Sequence, residues 1–422
     1  MGPRPLPPTF VPLQLAAFPR PAAVACADNR RMVRVSTGRA LENAVEQARP
    51  GTTVLAQAGR YAIHVLDWKT RNVCLRTAGG RAVLVPAHGE KYGISIGAPD
   101  AVLEDITLRG FTSSVGLVSG SRRVTVQGVR IETGGAGFRD GIVAYGSTDG
   151  LLVLDSSVHG ADLGISCNTG PCAHWWIERT RVRNRSRRND SGADDFAIES
   201  GRQVVVVDST FSGAAADGID TKAEGVVVFG ARVLNVGRNA IKLWHGGDVI
   251  DSVTDGSGAD AALVGDVGGR YRYLHVLVHG HSPRGRGYVG TWGYDHTREV
   301  FRIEVVNSIF AGNASGGFFA PATARLSVRH CLFDDPRDKL FDLSDGRSWR
   351  ISELSAFKKA GFGSGDVVGR PRLEAVAGRR WSTAAGSPAR DAGERIQGLS
   401  RDLYGRSRSR GRGPDIGPVE VG

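Results

Sequence analysis

Three short runs bring together residue types that do chemistry in combination. They read Asp194-Asp195-Phe196-Ala197, Asp217-Gly218-Ile219-Asp220 and Asn239-Ala240-Ile241-Lys242, with starts 23 and 22 residues apart. Aligned, Phe196, Ile219 and Ile241 form an apolar column. Ala197, Asp220 and Lys242 follow it. Consecutive strand residues point to opposite faces, so the second column faces out if the first faces in. Asp194, Asp217 and Asn239 form a third column, two residues before the apolar one. Strict alternation would turn it inward, and we place it in the turn before each strand. Asp194, Asp217 and Asp220 then converge on one exposed face, with Asp195 nearby. Crowded carboxylates repel unless protons or a cation intervene. An all-oxygen cluster suits Ca²⁺, which takes six to eight oxygen ligands. Lys242 follows one repeat later.

Something must hold these runs in register, and a repeat does so. Residues 101–110 read AVLEDITLRG, 151–160 LLVLDSSVHG, 204–213 VVVVDSTFSG, 303–312 IEVVNSIFAG and 326–335 LSVRHCLFDD. Each opens on apolar or β-branched residues, and Asp, Asn, Gly or another polar residue follows near the fifth position. A second strand recurs about 13 residues later in several repeats. Short strands without intervening helices argue against βαβ folds. One repeat per 22–25 residues predicts an all-β chain, a right-handed parallel β-helix, with loops inserted where the interval lengthens. The bulk properties agree. The chain has 422 residues, 58 glycines, 41% apolar residues and only two methionines. A solenoid needs caps over its ends. Ser36 or Thr37 can cap a helix over 40–48 that stops before Pro50. The domain reading is a leader or disordered extension over 1–30, the β-helix with its cap over 31–375, and a closing segment over 376–422.

Two resemblances sharpen this. Ser387-Pro-Ala-Arg-Asp-Ala-Gly393, Arg401-Asp-Leu-Tyr-Gly-Arg406 and Pro414-Asp-Ile-Gly-Pro-Val-Glu420 resemble the closing segment of secreted bacterial β-helix proteins. The order Asp-x-Phe, Asp-Gly-x-Asp, Asn-x-x-Lys in successive repeats resembles family 9 polysaccharide lyases of the pectate lyase type. That resemblance implies calcium held by Asp194, Asp217 and Asp220, and Lys242 as the catalytic base. It implies β-elimination on a uronic acid polymer. One position departs: the family has a further acid where this chain has Ala216. Asp195 or Glu199 can compensate.

Other residues are candidates for holding substrate. Arg185, Arg187 and Arg188 belong to a basic insertion that either clamps carboxylates or is a solvated loop. Lys222, Arg238, Trp244 and His245 lie near the three runs, and Trp292 and Tyr294 offer rings to sugars. Arg238 and His245 are also the candidates for the acid that protonates the leaving oxygen. The net charge of +11 attracts polyanions. No recognition motif for nucleic acid accompanies it, no run reaches the ~18 apolar residues of a membrane span, and a monomer is expected. Cys167 and Cys172 either close a small loop in an oxidising compartment or are two unrelated thiols. A polymeric substrate implies a secreted, periplasmic or cell-surface protein. Two other readings of the same fold remain: a glycoside hydrolase using paired carboxylates, and a carbohydrate-binding or adhesin β-helix without catalysis. An alginate-type lyase or uronan epimerase would share the proton abstraction.

Overall fold

The computed structural model describes residues 4–5, 18–24, 26, 31–134, 138–184, 192–258, 260–282, 288–293, 298–314, 317–334, 339–376, 379–408 and 410–421. The chain is a parallel β-helix, mostly strand, of about 12 turns with very little helix. It forms two compact units, built largely from residues 19–223 and 224–422.

In the first unit each coil carries up to three short strands. One row contains Tyr92–Ile96, Ser113–Leu117, Asp140–Ala144 and Leu163–Cys167, joined in parallel. A second contains Val102–Glu104, Thr125–Gln127 and Leu152–Leu154. The third contains Ile106–Arg109, Arg130–Glu132, Ser157–His159 and Arg181–Arg183. Between the second and third rows the chain turns on one residue with positive φ: Asp105, Gly128, Asp155, Arg179 and Asp208 in successive coils. That is the fifth-position residue of the repeat. Asp, Asn and Gly tolerate this backbone region best. The buried hydroxyls of Ser156 and Ser209 sit at this corner and accept from the amides of Val129 and Thr180 one coil earlier, each at 3.1 Å.

The N-terminal helix is Gly38–Glu46, and Thr37 Oγ1 accepts the Ala40 amide at 3.2 Å as its cap. Leu41 and Val45, one helical turn apart, are wholly buried. The stretch read as a free extension is not wholly free where it is described. Val24 N donates to Thr125 Oγ1, Arg20 pairs with Glu178, and Cys26 is disulfide-bonded to Cys74.

The second unit, taken by itself, is also built of three strand rows, with corner residues Gly230, Asp251, His275, Asn307 and His330. Its core is aromatic: Trp292 stacks on Phe318, and Phe318 on Phe341. Phe357, on the helix Leu354–Lys359, stacks on Phe341 with centroids 5.5 Å apart. This helix covers the last aromatic of the stack. The C-terminal segment does something else. Trp381, Ala389, Leu403, Ile416 and Val419 pack on Val253, Leu277, Ile309 and Leu332. Those four are neighbours across the third strand row. The segment read as closing therefore lies along the flank of the coils.

Candidate functional site

The acidic run of the first unit occupies a turn and the start of the strand Phe196–Val207. Phe196 pairs with Ile165, whose amide donates to Asp195 O, the residue before its partner. The Phe196 amide donates to Gly218 O at 3.0 Å, so the same offset sets Phe196 opposite Ile219. Asp194 then stacks on Asp217, and Ala197 on Asp220. Phe196 and Ile219 are wholly buried, as the apolar column predicts, and Asp220 is half-buried on the outward side.

Asp194 and Asp217 precede their strands, as the turn reading has it, but they are not exposed: 6% and 3% of their surfaces are accessible. Asp194 Oδ1 accepts the Asp217 amide at 2.8 Å. Asp195 departs furthest from the sequence reading. It is fully buried, and neither carboxylate oxygen has a hydrogen-bond partner. The backbone at Ala214 and Asn184 favours its charged form, but less than burial opposes it. Burial, and then the charge of Asp194, push its carboxyl well above the usual range. Alternation fails here because the turn rotates the residue before Phe196 into the coil.

The calcium donor set can be tested on these positions. Among the described residues, the carboxylates of Asp194, Asp195, Asp217 and Asp220 do not gather three within 4.8 Å of one another. Asp194 already serves a backbone amide, Asp195 is interior, and Ala216 supplies no donor. Glu199 stands opposite Lys222 in the ladder and pairs with it, so it does not replace the missing acid. In this arrangement the acids do not fit a calcium cage.

In the second unit Lys242 is the middle residue of the strand Ile241–Leu243. Ile241 and Leu243 are wholly buried, so Lys242 faces out, and it is half-buried. Its ammonium lies 4.1 Å from the centroid of the Trp244 ring. Among the described residues it makes no ion pair. Trp244 is fixed by its carbonyl, which accepts from Val267 N at 2.9 Å and Tyr271 Oη at 2.7 Å. His245 is exposed. Gly246 then turns the chain at φ +92°, where a Cβ would meet Arg270 O at 2.3 Å. Asn239 is buried, and its Oδ1 accepts the Ala261 amide at 3.0 Å. This repeats the bond that Asp194 makes. Arg238 donates twice to Asp260 Oδ2, at 2.9 and 2.7 Å.

Register extends the outward column from Lys242 through Val264, Thr291, Phe319 and Asp342. Asp342 accepts from Tyr288 Oη at 2.7 Å and pairs with Lys339. Sequence reading missed Thr291, Phe319, Tyr288 and Asp342. Their signal was the same column, hidden by uneven insertions between coils. Trp292 is not available to a sugar: it is wholly buried in the aromatic stack. Tyr294, Arg185, Arg187 and Arg188 lie outside the described residues.

No protein-family model matches the chain, and no curated protein matches it. Solved structures do, in fold and at low sequence identity. Pectate lyase Pel9A is 14% identical, with 94% of this chain and 97% of that one covered and a TM-score of 0.49. The alginate lyase from Paenibacillus sp. str. FPU-7 is 15% identical, with 70% and 99% covered and a TM-score of 0.45. The Dettilon tailspike protein (gp208) is 11% identical, with 75% and 69% covered and a TM-score of 0.44.

Proposed function

We propose that the protein is a polysaccharide lyase that cleaves a uronic-acid polymer by β-elimination, with Lys242 as the base. One observation carries the reading. Lys242 faces outward between the wholly buried Ile241 and Leu243, rests against Trp244, and has no carboxylate partner among the described residues. A lysine locked to a carboxylate would be held as an ammonium and would serve poorly. The sequence resemblance at 194–242 supports the same role.

The chemistry asks for little else. The proton at C5 of a uronate lies α to a carboxylate. Lys242 Nζ takes it, the electron pair forms the C4–C5 double bond, and the C4–O bond breaks. Negative charge builds on the substrate carboxylate as the proton leaves, and a preorganised cation stabilises it best. Arg238, in the same unit as Lys242, is the candidate, and it would exchange its internal acid, Asp260, for that of the substrate. His245 is exposed and suits protonation of the departing oxygen. We derive no step through a metal. We also place the protein outside the reducing cytosol, on the disulfides Cys26–Cys74 and Cys167–Cys172.

Polygalacturonate and alginate would be incubated with the protein, with Ca²⁺ and with chelator, and the ultraviolet absorbance of the unsaturated end followed. We expect absorbance to grow on one of them and to fall by about 10²–10⁴-fold in Lys242→Ala with its circular dichroism unchanged. New reducing ends without absorbance would make the protein a hydrolase. Equal rates in the variant would remove Lys242 from the chemistry.

A further inference from the structure

The third strand row has opposite chemistry in the two units. In the second unit its outward residues are Val253, Leu277, Ile309 and Leu332, and the C-terminal segment covers them. In the first unit the corresponding ladder reads Thr107, Arg130, Ser157, Arg181 and Thr210. Among the described residues no segment packs over it. The strands of this row from Gly59 to Ser212 hold five arginines and a single acid, Glu132. Glu132 is engaged by Arg109, whose Nε lies 2.6 Å from its carboxylate. Arg130, Arg181 and Arg183 are exposed and pair with no described residue. A depression of about 500 Å³ opens on the same face, lined by Arg81, Arg130, Thr77, Thr107, Asp105 and Gly128.

We infer that this face is a second holding surface for an acidic polysaccharide, distinct from the strands that carry the acidic run. It deepens the reading above by giving the same polymer class another grip. The spacing suits an extended polyanion. Coils stack about 4.8 Å apart, so Arg130 and Arg181, two coils apart, stand about 9.6 Å apart along a straight line. The half-buried hydroxyls of Ser157 and Thr210 alternate with them. Guanidinium forks bind carboxylates with paired hydrogen bonds, and hydroxyls between them meet sugar hydroxyls. A flat face with alternating charge and hydroxyl holds a chain without enclosing it. This suits retention between cleavage events.

Polygalacturonate and alginate would be immobilised in native gels, with a neutral glucan as control. Retardation of the wild type, of Lys242→Ala and of Arg130→Ala/Arg181→Ala would be compared at rising salt. We expect wild type and Lys242→Ala to be retarded equally on one acidic polymer and unretarded on the neutral one. The double arginine variant should bind at least fivefold more weakly with a shallower salt dependence, at an unchanged melting temperature. Its turnover of short uronate oligomers should match the wild type. Equal retardation of the double variant, equal retardation on the neutral glucan, or no retardation of the wild type would overturn the inference. Loss of turnover without loss of retardation in Lys242→Ala belongs to the catalytic reading, so the two stand or fall separately.

Discussion

A deeply buried carboxyl group is favoured in its protonated form when burial outweighs nearby positive charge, here the Lys358 ammonium. Asp366 shows this in the second unit. It is 3% exposed, its Oδ1 accepts the Cys331 amide at 2.9 Å, and its Oδ2 has no partner. Burial raises its pKa to about 7, against roughly 3.9 in an unfolded chain. The folded state therefore keeps a proton that the unfolded state releases. The stabilisation is complete below about pH 4 and is lost as pH rises through about 7. Between pH 5 and pH 8 this group removes about 2–3 kcal/mol. Asp366→Asn mimics the protonated form, so its urea stability should fall less than that of the wild type over that interval. Parallel pH profiles would acquit Asp366. The same reasoning marks where sequence reading failed at this scale. Lys242 was legible because a strand residue between two apolar ones must face out. Asp195 was not, because periodicity does not say which way a turn residue rotates.

Elements were easier to read than residues, for a reason specific to this fold. Coil after coil passes from its second strand to its third on a residue of positive φ, so Asp105, Asp155, Asp208, Asp251 and Asn307 print the coil period into the sequence. The N-terminal helix was legible from Ser36 or Thr37 before it and Pro50 after it, although it runs over Gly38–Glu46, two residues earlier than 40–48. The cap at the other end was not. The helix Leu354–Lys359 is one and a half turns long and buries mainly Leu354 and Phe357, too short a pattern to show periodicity. Its weight is tertiary. Phe357 is wholly buried against Phe341, Trp349 and Phe362. Phe357→Ala should cost about 3–5 kcal/mol by chemical denaturation. A loss below about 1 kcal/mol would mean that the aromatic stack closes without the helix.

At the scale of the whole chain, the closing segment packs along the third strand row of its unit. Its motif acids serve backbone amides rather than a site. Asp415 accepts the amides of Asp391 and Val421, and Asp402 accepts those of Tyr404, Arg406 and Glu420. Arg408 binds Asp251, the corner residue of a coil, and both are almost wholly buried. Removing one partner of a buried pair leaves a charge that nothing compensates. Arg408→Met should therefore destabilise the protein by about 3–5 kcal/mol, and Arg408→Met/Asp251→Asn, which removes the charge and keeps a residue suited to positive φ, should recover much of that loss. A double variant no better than the single one would show that the pair is not the source.

The flanking position of this segment also has a temporal side. The row from Val253 to Leu332 is made before the residues that cover it. Val419 follows Leu332 by 87 residues, roughly 4–17 s at ~5–20 residues per second of synthesis. Through that interval the newborn chain shows a stripe of aliphatic side chains along a row of finished strands. The hazard is one of timing: slower elongation between Leu332 and Val419 lengthens the exposure, and we expect it to lower the soluble yield.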